Sequence, residues 1–364
     1  MRLTIPQPQL LKTLQTVERA VNDRTTLPIL ANILLEASEN ELTLTATDLD
    51  VGIQCRFPLA QPTESGAVTL PARKLTTVVR ELPDELVVLE AKKNHTATLN
   101  CGAVNFRIPG LPAEDFPALP TMDEVEGGSI PQGVFKRLIA ETMHAMSMEE
   151  TRFILNGALL TVQEDILTIV ATDGRRLAVA KAPVTGGAAF TAVVPAKTIR
   201  ELARLLEDED EDLAVAPLKD NQLTLRFGQV TMITRLIEGQ FPQYEKVIPP
   251  PSKHALTCDR QALINAVRRA SLMTTATSQA IVFEMAGAAL VVSKESAELG
   301  SAREEVRVTY TGEPLTVAFN PEFWLDVLKV LNGSEVTIEL SGPDRPAVIR
   351  QPDFLYLVLP MKVA

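Results

Sequence analysis

The amino-acid sequence predicts an α+β protein of three repeated units, each with two helices packed on an antiparallel β-sheet. Its 364 residues are too many for one ordinary core and favour two or three domains. Segments with helical periodicity recur in pairs, and short β-rich runs lie between them. The proportions of hydrophobic and charged residues, 46% and 22%, are those of a globular chain.

A first helix is predicted near the start of each unit. The three matching segments are IPQPQLLKTLQTVERAV from Ile5, IPQGVFKRLIAETMHAM from Ile130 and CDRQALINAVRRASLM from Cys258. Apolar residues recur in them every three or four positions, which predicts one face buried against a sheet.

A second helix is predicted later in each unit. The matching segments are LPARKLTTVVREL (70–82), VPAKTIRELARLL (194–206) and FNPEFWLDVLKVL (319–331). Each has a proline near the first helical position, where the missing N–H group costs little.

Antiparallel strands and hairpins are predicted between the helices, from short runs such as QLTLRFGQVTMITRL, EVTIEL and FLYLVLP. Two helices on one face of such a sheet form an α+β layer. Proline-rich joints follow at Phe116-Pro117 and again 125 residues later at Phe241-Pro242. We therefore expect three domains over 1–122, 123–251 and 252–364.

The predicted helices are basic although the chain as a whole is acidic. Six helix windows contain 14 Lys or Arg and 7 Asp or Glu, whereas the chain has a net charge of −11: 6–20, 71–82, 131–146, 195–206, 259–272 and 320–331. Helices accept Glu as readily as Lys, so the bias predicts a basic helical surface that faces a polyanion. Spacing along the first helices places Lys12, Arg137 and Arg268 on that surface.

No catalytic, cofactor or metal site is indicated. Cys55, Cys101 and Cys258 lie far apart without a CxxC pair, which indicates neither a disulfide framework nor zinc. The sequence has no P-loop, GxGxxG, GxSxG or HExxH motif, and its first residues lack the apolar region of a signal peptide. We expect a cytoplasmic protein that is not an enzyme, with no cofactor and no membrane segment, and we expect His144 on a helix surface.

Four motifs together make the whole chain resemble the bacterial DNA polymerase III beta subunit, the sliding clamp family: LPIL at Leu27, VATDGRRLA at Val170, FPQYEKVIP at Phe241 and YLVLPMKVA at Tyr356. The resemblance implies the DNA clamp fold and a ring-shaped, head-to-tail homodimer that encircles double-stranded DNA without sequence preference. It also implies that the replicative DNA polymerase, the clamp loader and repair proteins bind through short peptide motifs.

The resemblance also implies three sets of site residues. The partner-peptide pocket would be formed by Leu155, Thr172, Gly174, Arg175, Arg176, Leu177, Pro242, Val247, Val358, Leu359, Pro360 and Met361. DNA would be contacted by Arg24, Arg73, Arg80, Lys197 and Arg204, besides the three residues placed by helix spacing. The dimer interface would place Phe106 against Leu272 and Met273, with Lys74 and Arg107 opposite Glu298 and Glu304.

Other interpretations stay open at this level. One alternative is a docking scaffold that never encircles DNA. Another is a phosphate-binding enzyme that uses loop 172–176, where a glycine and two arginines are typical of an anion site. The acidic run 207–212 could hold a cation, although such runs are usually solvated loops. An echo of the loop at Ala46-Thr47-Asp48 is not expected to form the same pocket, because Leu49 and Asp50 replace Gly174 and Arg175.

Overall fold

A computed structural model of the chain describes residues 1–21, 26–38, 40–61, 63–120, 127–207 and 210–362. Across these residues each third of the chain contains the same elements in the order β-α-β-β-β-β-α-β-β-β, and we call the thirds the first, second and third repeats. The predicted three-fold repetition of an α+β unit is therefore confirmed. By the contacts among its residues the chain divides into two compact units, residues 1–133, 185–188 and 204–236, and residues 134–184, 189–203 and 237–364.

The elements of the first two repeats follow one another in matching order. The first repeat consists of β1 (Arg2–Pro6), α1 (Gln7–Val17), β2 (Asn32–Ser38), β3 (Glu41–Thr47), β4 (Val51–Pro58), β5 (Gly66–Pro71), α2 (Ala72–Arg80), β6 (Leu86–Ala91), β7 (Thr96–Cys101) and β8 (Val104–Pro109). The second consists of β9 (Gly128–Pro131), α3 (Gln132–Thr142), β10 (Gly157–Gln163), β11 (Ile166–Thr172), β12 (Arg176–Pro183), β13 (Phe190–Pro195), α4 (Ala196–Leu205), β14 (Asp212–Leu218), β15 (Gln222–Phe227) and β16 (Val230–Arg235).

The third repeat keeps this order. It consists of β17 (Ala255–Asp259), α5 (Arg260–Ser271), β18 (Ile281–Ala286), β19 (Ala289–Ser296), β20 (Gly300–Tyr310), β21 (Leu315–Phe319), α6 (Pro321–Val330), β22 (Glu335–Leu340), β23 (Ala347–Arg350) and β24 (Phe354–Val358). Ile5, Ile130 and Cys258 thus belong to strands, and the first helix of each repeat begins after them. Pro321 is the first residue of α6, as predicted, and the Asn320 side chain accepts a hydrogen bond from the Glu322 N–H at 2.9 Å.

The first compact unit contains two antiparallel sheets. One has the strand order β1-β6-β7-β8, and the other has the order β5-β2-β3-β4-β16-β15-β14-β9. Helix α1 lies against β1 of the smaller sheet and against β3 and β4 of the larger one. Its apolar stripe, Leu10, Leu14 and Val17, is fully buried. A helix of this repeat is therefore covered by two sheets.

The second compact unit contains one long antiparallel sheet, with the strand order β13-β10-β11-β12-β24-β23-β22-β17-β20-β19-β18-β21. Helix α5 packs against strands β17 to β20 and against α6. The Trp324 ring of α6 lies 5.5 Å from the Phe283 ring and 5.3 Å from the Phe319 ring. These aromatic contacts fix α6 on the core of the third repeat.

Sheets continue from one repeat into the next through a constant pair of strands, which we call a seam. The fourth strand of a repeat pairs with the eighth strand of the following repeat, β4 with β16 and β12 with β24. By the same rule β20 would pair with a β8 strand. Within the described residues, however, β8 pairs only with β7, and residues 300–307 of β20 pair only with β19. Both strands therefore present open edges.

Candidate partner, DNA and subunit surfaces

The turn between β11 and β12 is held by its own side chains. Thr172 Oγ1 donates to the Arg176 carbonyl at 2.6 Å and accepts from the Gly174 N–H at 3.1 Å. Asp173 Oδ1 accepts from the N–H groups of Arg175 and Arg176 at 2.8 and 3.0 Å. Gly174 has φ +85°, a left-handed backbone that glycine adopts without a steric penalty.

The turn between β3 and β4 repeats these hydrogen bonds. Thr47 Oγ1 donates to the Val51 carbonyl and accepts from the Leu49 N–H, both at 3.0 Å. Asp48 Oδ1 accepts from the Asp50 and Val51 N–H groups at 3.1 and 2.8 Å. The Thr-Asp pair is thus a turn that the duplicated fold uses twice, and its presence does not depend on a ligand.

Arg176 stabilises the inside of the molecule and does not form a wall of the predicted pocket. Its Nε lies 3.1 Å from Asp173 Oδ2, its Nη1 lies 2.7 Å from Asp326 Oδ2, and its guanidinium lies 4.3 Å from the centre of the Phe323 ring. The side chain is only 11% exposed. Because these donors and the backbone N–H groups of 174–176 already have acceptors, the loop is not built to hold a phosphate. The geometry therefore does not support the phosphate-binding alternative, and it favours a structural role for Arg176 over its predicted place in the pocket.

A buried apolar cluster lies beside this turn. It contains Leu155 and Leu177, as predicted for the pocket, together with Phe241 and Leu357, which the sequence prediction missed. Leu177 and Leu357 are opposite each other in the β12–β24 register. Val358 is opposite Arg176 and is fully buried, so alternation along the strand directs it to the other face. Val358 therefore faces the core, whereas Leu357 lies in the cluster beside Leu155 and Leu177.

Several apolar residues predicted for the pocket are accessible. Val247, Leu359 and Met361 are 58%, 40% and 37% exposed. The Leu359 N–H donates to the Arg175 carbonyl at 2.9 Å, which holds the end of β24 beside the turn. Pro242 and Gly174 are exposed as well, and Pro360 is half-buried. We call these accessible residues and the floor of Leu155, Leu177 and Leu357 the peptide surface, after the site that the sequence predicts.

Arg175 stands at the edge of the peptide surface with a partly compensated charge. Its side chain is 59% exposed, and its Nη2 lies 3.0 Å from Glu149 Oε1. Arg152 also contacts Glu149, at 3.3 Å, and donates to the Asp173 carbonyl at 3.1 Å. Arg152 thereby ties the short 3-10 helix Glu150–Leu155 to the turn.

The basic residues predicted to contact DNA are distributed over several helices. Arg73 and Arg80 of α2 line one surface depression together with Arg19, which follows α1. Lys197 and Arg204 of α4 and Arg268 of α5 are exposed. The structure thus brings Arg19, which follows α1, together with two basic residues of α2 that are distant in sequence.

Of the residues predicted to contact DNA, one lies outside the described part of the chain and two form ion pairs within it. Arg24 lies outside the described residues. Lys12 is 79% exposed, and its Nζ lies 3.5 Å from Glu207 Oε1. Arg137 Nη1 lies 3.1 Å from the buried Glu141 carboxylate, whose pKa is raised by burial. Arg137 therefore acts as the counter-ion of a buried carboxylate, and its assignment to the DNA surface is not supported by its geometry.

The open seam leaves an apolar side chain uncovered. Phe106 is the third residue of its strand, as are Met232 and Tyr356 in the other two eighth strands. Met232 and Tyr356 lie in closed seams and are fully buried, whereas Phe106 in β8 is 37% exposed. The third position of the eighth strand is therefore buried where the seam is closed, and it is exposed in β8, where no strand pairs on that side among the described residues.

In the closed seam of the second and third repeats, the aromatic residue Tyr356 contacts His144. His144 and Leu272 each lie twelve residues after the first residue of their helices, α3 and α5. The His144 ring lies 5.5 Å from the Tyr356 ring, and burial lowers the pKa of His144 to about 4. The prediction that His144 lies on a helix surface is therefore wrong. Its counterpart Leu272 is 68% exposed, and Met273 beside it is half-buried.

The charged residues predicted for the subunit interface differ in their availability. Lys74 and Arg107 are exposed in the first repeat, and Glu298 is exposed in the third. Glu304 is bonded within its own repeat to Arg269, whose Nε lies 2.7 Å from Glu304 Oε2. Glu304 is therefore less available to a second subunit than Glu298.

Three family descriptions match successive parts of the chain. The DNA polymerase III beta subunit N-terminal domain matches residues 1–120, its central domain matches 129–243, and its C-terminal domain matches 245–362. The chain belongs to the DNA polymerase III beta subunit family. The predicted family and clamp fold are confirmed, and the function of the chain is that of its family, a DNA sliding clamp.

Relatives of this beta subunit are similar over their full length. A beta sliding clamp of Pseudomonas putida is 35% identical over 371 residues, with 100% of both chains covered. The crystal structure of the DNA polymerase III subunit beta from Pseudomonas aeruginosa is 34% identical, with a TM-score of 0.94. The DNA polymerase sliding clamp from Bacillus subtilis is 30% identical, with a TM-score of 0.95. Both structures and this chain cover each other completely.

Among the described residues, the other candidate sites of this beta subunit contain no arranged ligand set. Cys55, Cys101 and Cys258 are all buried thiols, and burial raises the pKa of Cys55 and of Cys258 to about 12. In the part of the chain that the structure describes, no group of three or more His, Cys, Asp or Glu is placed to hold a metal, and residues 208 and 209 of the acidic run lie outside that part. None of the described helices is both long and apolar enough to cross a bilayer.

Proposed function

We propose that this clamp acts as a closed homodimer that surrounds double-stranded DNA and tethers polymerase and other DNA-processing proteins to it. The main support for this proposal is the open seam of strands β20 and β8. Two seams in each chain pair a fourth strand with an eighth strand, and the only such pair left incomplete among the described strands is β20 with β8. Two copies would complete two seams head to tail, which would close a ring and cover the open edges of β8 and β20.

The residues at the open seam fit this arrangement. Phe106 of one copy would contact Leu272 and Met273 of the other, as Tyr356 contacts His144 in a closed seam. Lys74 and Arg107 would then lie opposite acidic residues, of which Glu298 is the more accessible. Apolar contact would supply most of the affinity, since exposed ion pairs contribute about 0–1 kcal/mol.

The basic helix residues would contact DNA through its phosphates. Arg73, Arg80, Lys197, Arg204 and Arg268 are exposed on helices of an acidic chain. Phosphate contacts hold a protein on DNA without reading the sequence, and they weaken as salt rises. Such contacts suit a ring that must move along the duplex. We place the protein in the bacterial cytoplasm, where that DNA lies, and assign it no catalytic role.

The peptide surface would bind short segments of partner proteins. A buried aliphatic floor with the exposed Val247, Leu359 and Met361 around it matches a peptide with one or two Leu or Phe anchors. The thioether of Met361 adapts to different side chains. The polymerase, the clamp loader and repair proteins would therefore compete for one surface.

A dimerisation experiment tests the seam. The double variant Leu272→Ala with Met273→Ala should sediment as a monomer at concentrations where the wild-type chain is a dimer. Removing buried apolar side chains costs roughly 2–5 kcal/mol each when a joint depends on them. Leu272 is 68% exposed in the single chain, so the fold of the subunit should be retained.

Val247→Ala is the matched control, because Val247 is 58% exposed but lies on the peptide surface. It should remain dimeric. If the Leu272 and Met273 variant also sediments as a dimer at nanomolar concentration, the proposed joint is wrong.

A further inference from the structure

The first repeat contains a second copy of the peptide surface that is filled by the chain itself. We propose that segment 116–120 is its built-in occupant, and that this segment limits each subunit to one partner peptide. The inference rests on the proposed function of the peptide surface in the second repeat.

The strand register identifies the copy. Gly52 lies opposite Thr47 on one side and opposite Ile233 across the seam. Leu177 has the same two relationships with Thr172 and Leu357. Gly52 therefore occupies the place in the first repeat that Leu177 occupies in the floor of the peptide surface.

Three apolar neighbours of Leu177 have apolar counterparts around Gly52. Leu30 and Phe116 are 4% and 8% exposed, and each precedes by 125 residues a member of the buried cluster, Leu155 and Phe241. Ile233 is 5% exposed and takes the position of Leu357. Gly52 replaces Leu177, and Thr45 and Gln54 stand where the cluster of the second repeat has Val170 and Val179.

Leu119 supplies the missing apolar group. A β-carbon added to Gly52 would lie 2.9 Å from both Cδ atoms of Leu119 and 3.5 Å from its Cγ. Real carbon atoms do not approach so closely, so the Leu119 methyl groups occupy the volume that the Leu177 side chain fills in the second repeat. Tyr244, the counterpart of Leu119, instead packs beside the cluster and is half-buried.

Tethering makes the segment a strong competitor. Phe116 is buried three residues before Leu119, so the segment stays close to the Gly52 site. A short tether gives an effective concentration in the millimolar range. A free peptide at micromolar concentration would therefore not displace it, although it would bind the unobstructed peptide surface of the second repeat.

The test counts bound peptides on full-length protein. The probe is a labelled peptide from the C-terminal tail of the polymerase with Leu and Phe anchors, and native mass spectrometry gives the number bound per subunit. Leu119→Ala empties the site, and Gly52→Ala forces Leu119 out without shortening it. Leu111→Ala is the control, because Leu111 precedes the same segment and is 37% exposed.

We expect one peptide per subunit for the wild type and for Leu111→Ala, and two for each of the other variants, the second at least about tenfold weaker because Leu49 and Asp50 replace Gly174 and Arg175. If both variants still bind one peptide while the wild type binds one, the inference is overturned and the proposed function stands. If the wild type binds none, the proposed peptide surface is wrong. The variants then decide the inference separately, since a peptide bound by them alone supports it and no binding overturns it.

Discussion

On strand β24, a difference of one position decides whether a residue belongs to the floor of the peptide surface or to the core. Leu357 and Val358 are neighbours with similar side chains, yet only Leu357 faces Leu155 and Leu177. Adjacent residues of a strand point to opposite faces, so a shift of one position exchanges the two roles. Arg176 faces away from Leu177 for the same reason, because it lies opposite Val358 and its guanidinium reaches Asp326 on α6.

Truncating the rim of the peptide surface should weaken peptide binding without unfolding the protein. Leu359→Ala with Met361→Ala removes aliphatic and thioether groups that a peptide would bury, worth about 1–2 kcal/mol each. We expect peptide affinity to fall roughly 30- to 1000-fold in a fluorescence titration. Ile166→Ala, a 39% exposed aliphatic residue of the same repeat, should bind as the wild type does. Unchanged affinity in the double variant would exclude these residues from the site.

His144 should make the stability of the protein depend on pH in the acidic range. Burial, with the nearby Arg176 charge acting in the same direction, lowers its pKa from 6.5 to about 4 in the folded chain, while Asp326 and Asp173 oppose the shift. The unfolded chain therefore binds the proton first, and stability falls as pH drops from about 6.5 toward 4. Above pH 6.5 this residue contributes no pH dependence.

The size of the effect can be measured by substitution. The lowered pKa of His144 corresponds to a loss of about 3 kcal/mol in the free energy of unfolding once the residue is protonated in both the folded and the unfolded chain. His144→Leu, which introduces the residue found at the matching position of the third repeat, should lose about 2–3 kcal/mol less than the wild type between pH 7 and pH 4.5 in chemical denaturation. Groups common to both proteins cancel in this comparison. An identical loss in both proteins would show that His144 is not the responsible group.

At the scale of elements, the helices differ in what their basic residues do. Arg73 and Arg80 of α2 share a surface depression with Arg19, whereas Arg137 of α3 neutralises the buried Glu141. Arg260 of α5 is also structural, because its Nη1 donates to the Leu328 carbonyl near the end of α6 at 2.8 Å. A charge count over helix windows therefore overestimates the surface available to DNA.

Removing the α2 pair should lower the salt dependence of DNA binding. Arg73→Ala with Arg80→Ala deletes two phosphate contacts per subunit, and each lost contact should reduce the slope of log K against log salt by about 0.9. Fluorescence anisotropy on a short duplex at several salt concentrations measures this slope. Lys92→Ala with Lys93→Ala, which removes two exposed charges in the loop after β6, should leave it unchanged. A slope equal to that of the wild type in the α2 variant would exclude α2 from the DNA contact.

At the scale of the whole molecule, attachment to DNA should depend on topology more than on affinity. A closed dimer cannot leave a closed circle without opening, whereas it can slide off a linear end. Protein loaded by a clamp loader on circular DNA should therefore survive a salt concentration that removes directly bound protein, because screening weakens only the phosphate contacts. Gel filtration of the complexes before and after linearisation by a restriction enzyme measures retention.

The dimer variant at Leu272 and Met273 provides the control for retention. It keeps the basic helices but lacks the proposed joint, so it should be lost equally from circular and linear DNA. Equal loss of the wild-type protein from both forms would instead favour the docking scaffold that never encircles DNA.

The sequence by itself determined the repeated α+β unit, the positions of the helices and the family. These features depend on local periodicity and on motifs that lie within short segments, such as the apolar stripe of Leu10, Leu14 and Val17. The seam residue Phe106 could also be named in advance, since the resemblance covers its strand. The sites and the domain boundaries drawn from the sequence stay predictions until experiments test them.

Only the tertiary structure decided which polar residues lie inside. His144 and Arg176 have the composition of surface residues, but the seam strand β24 covers His144 with Tyr356, and α6 covers Arg176 with Phe323 and Asp326. The partners of both residues lie about 150 to 210 positions away along the chain. Register across a seam and the filling of a site by Leu119 are set by packing between distant segments, because periodicity within a strand does not specify its neighbour.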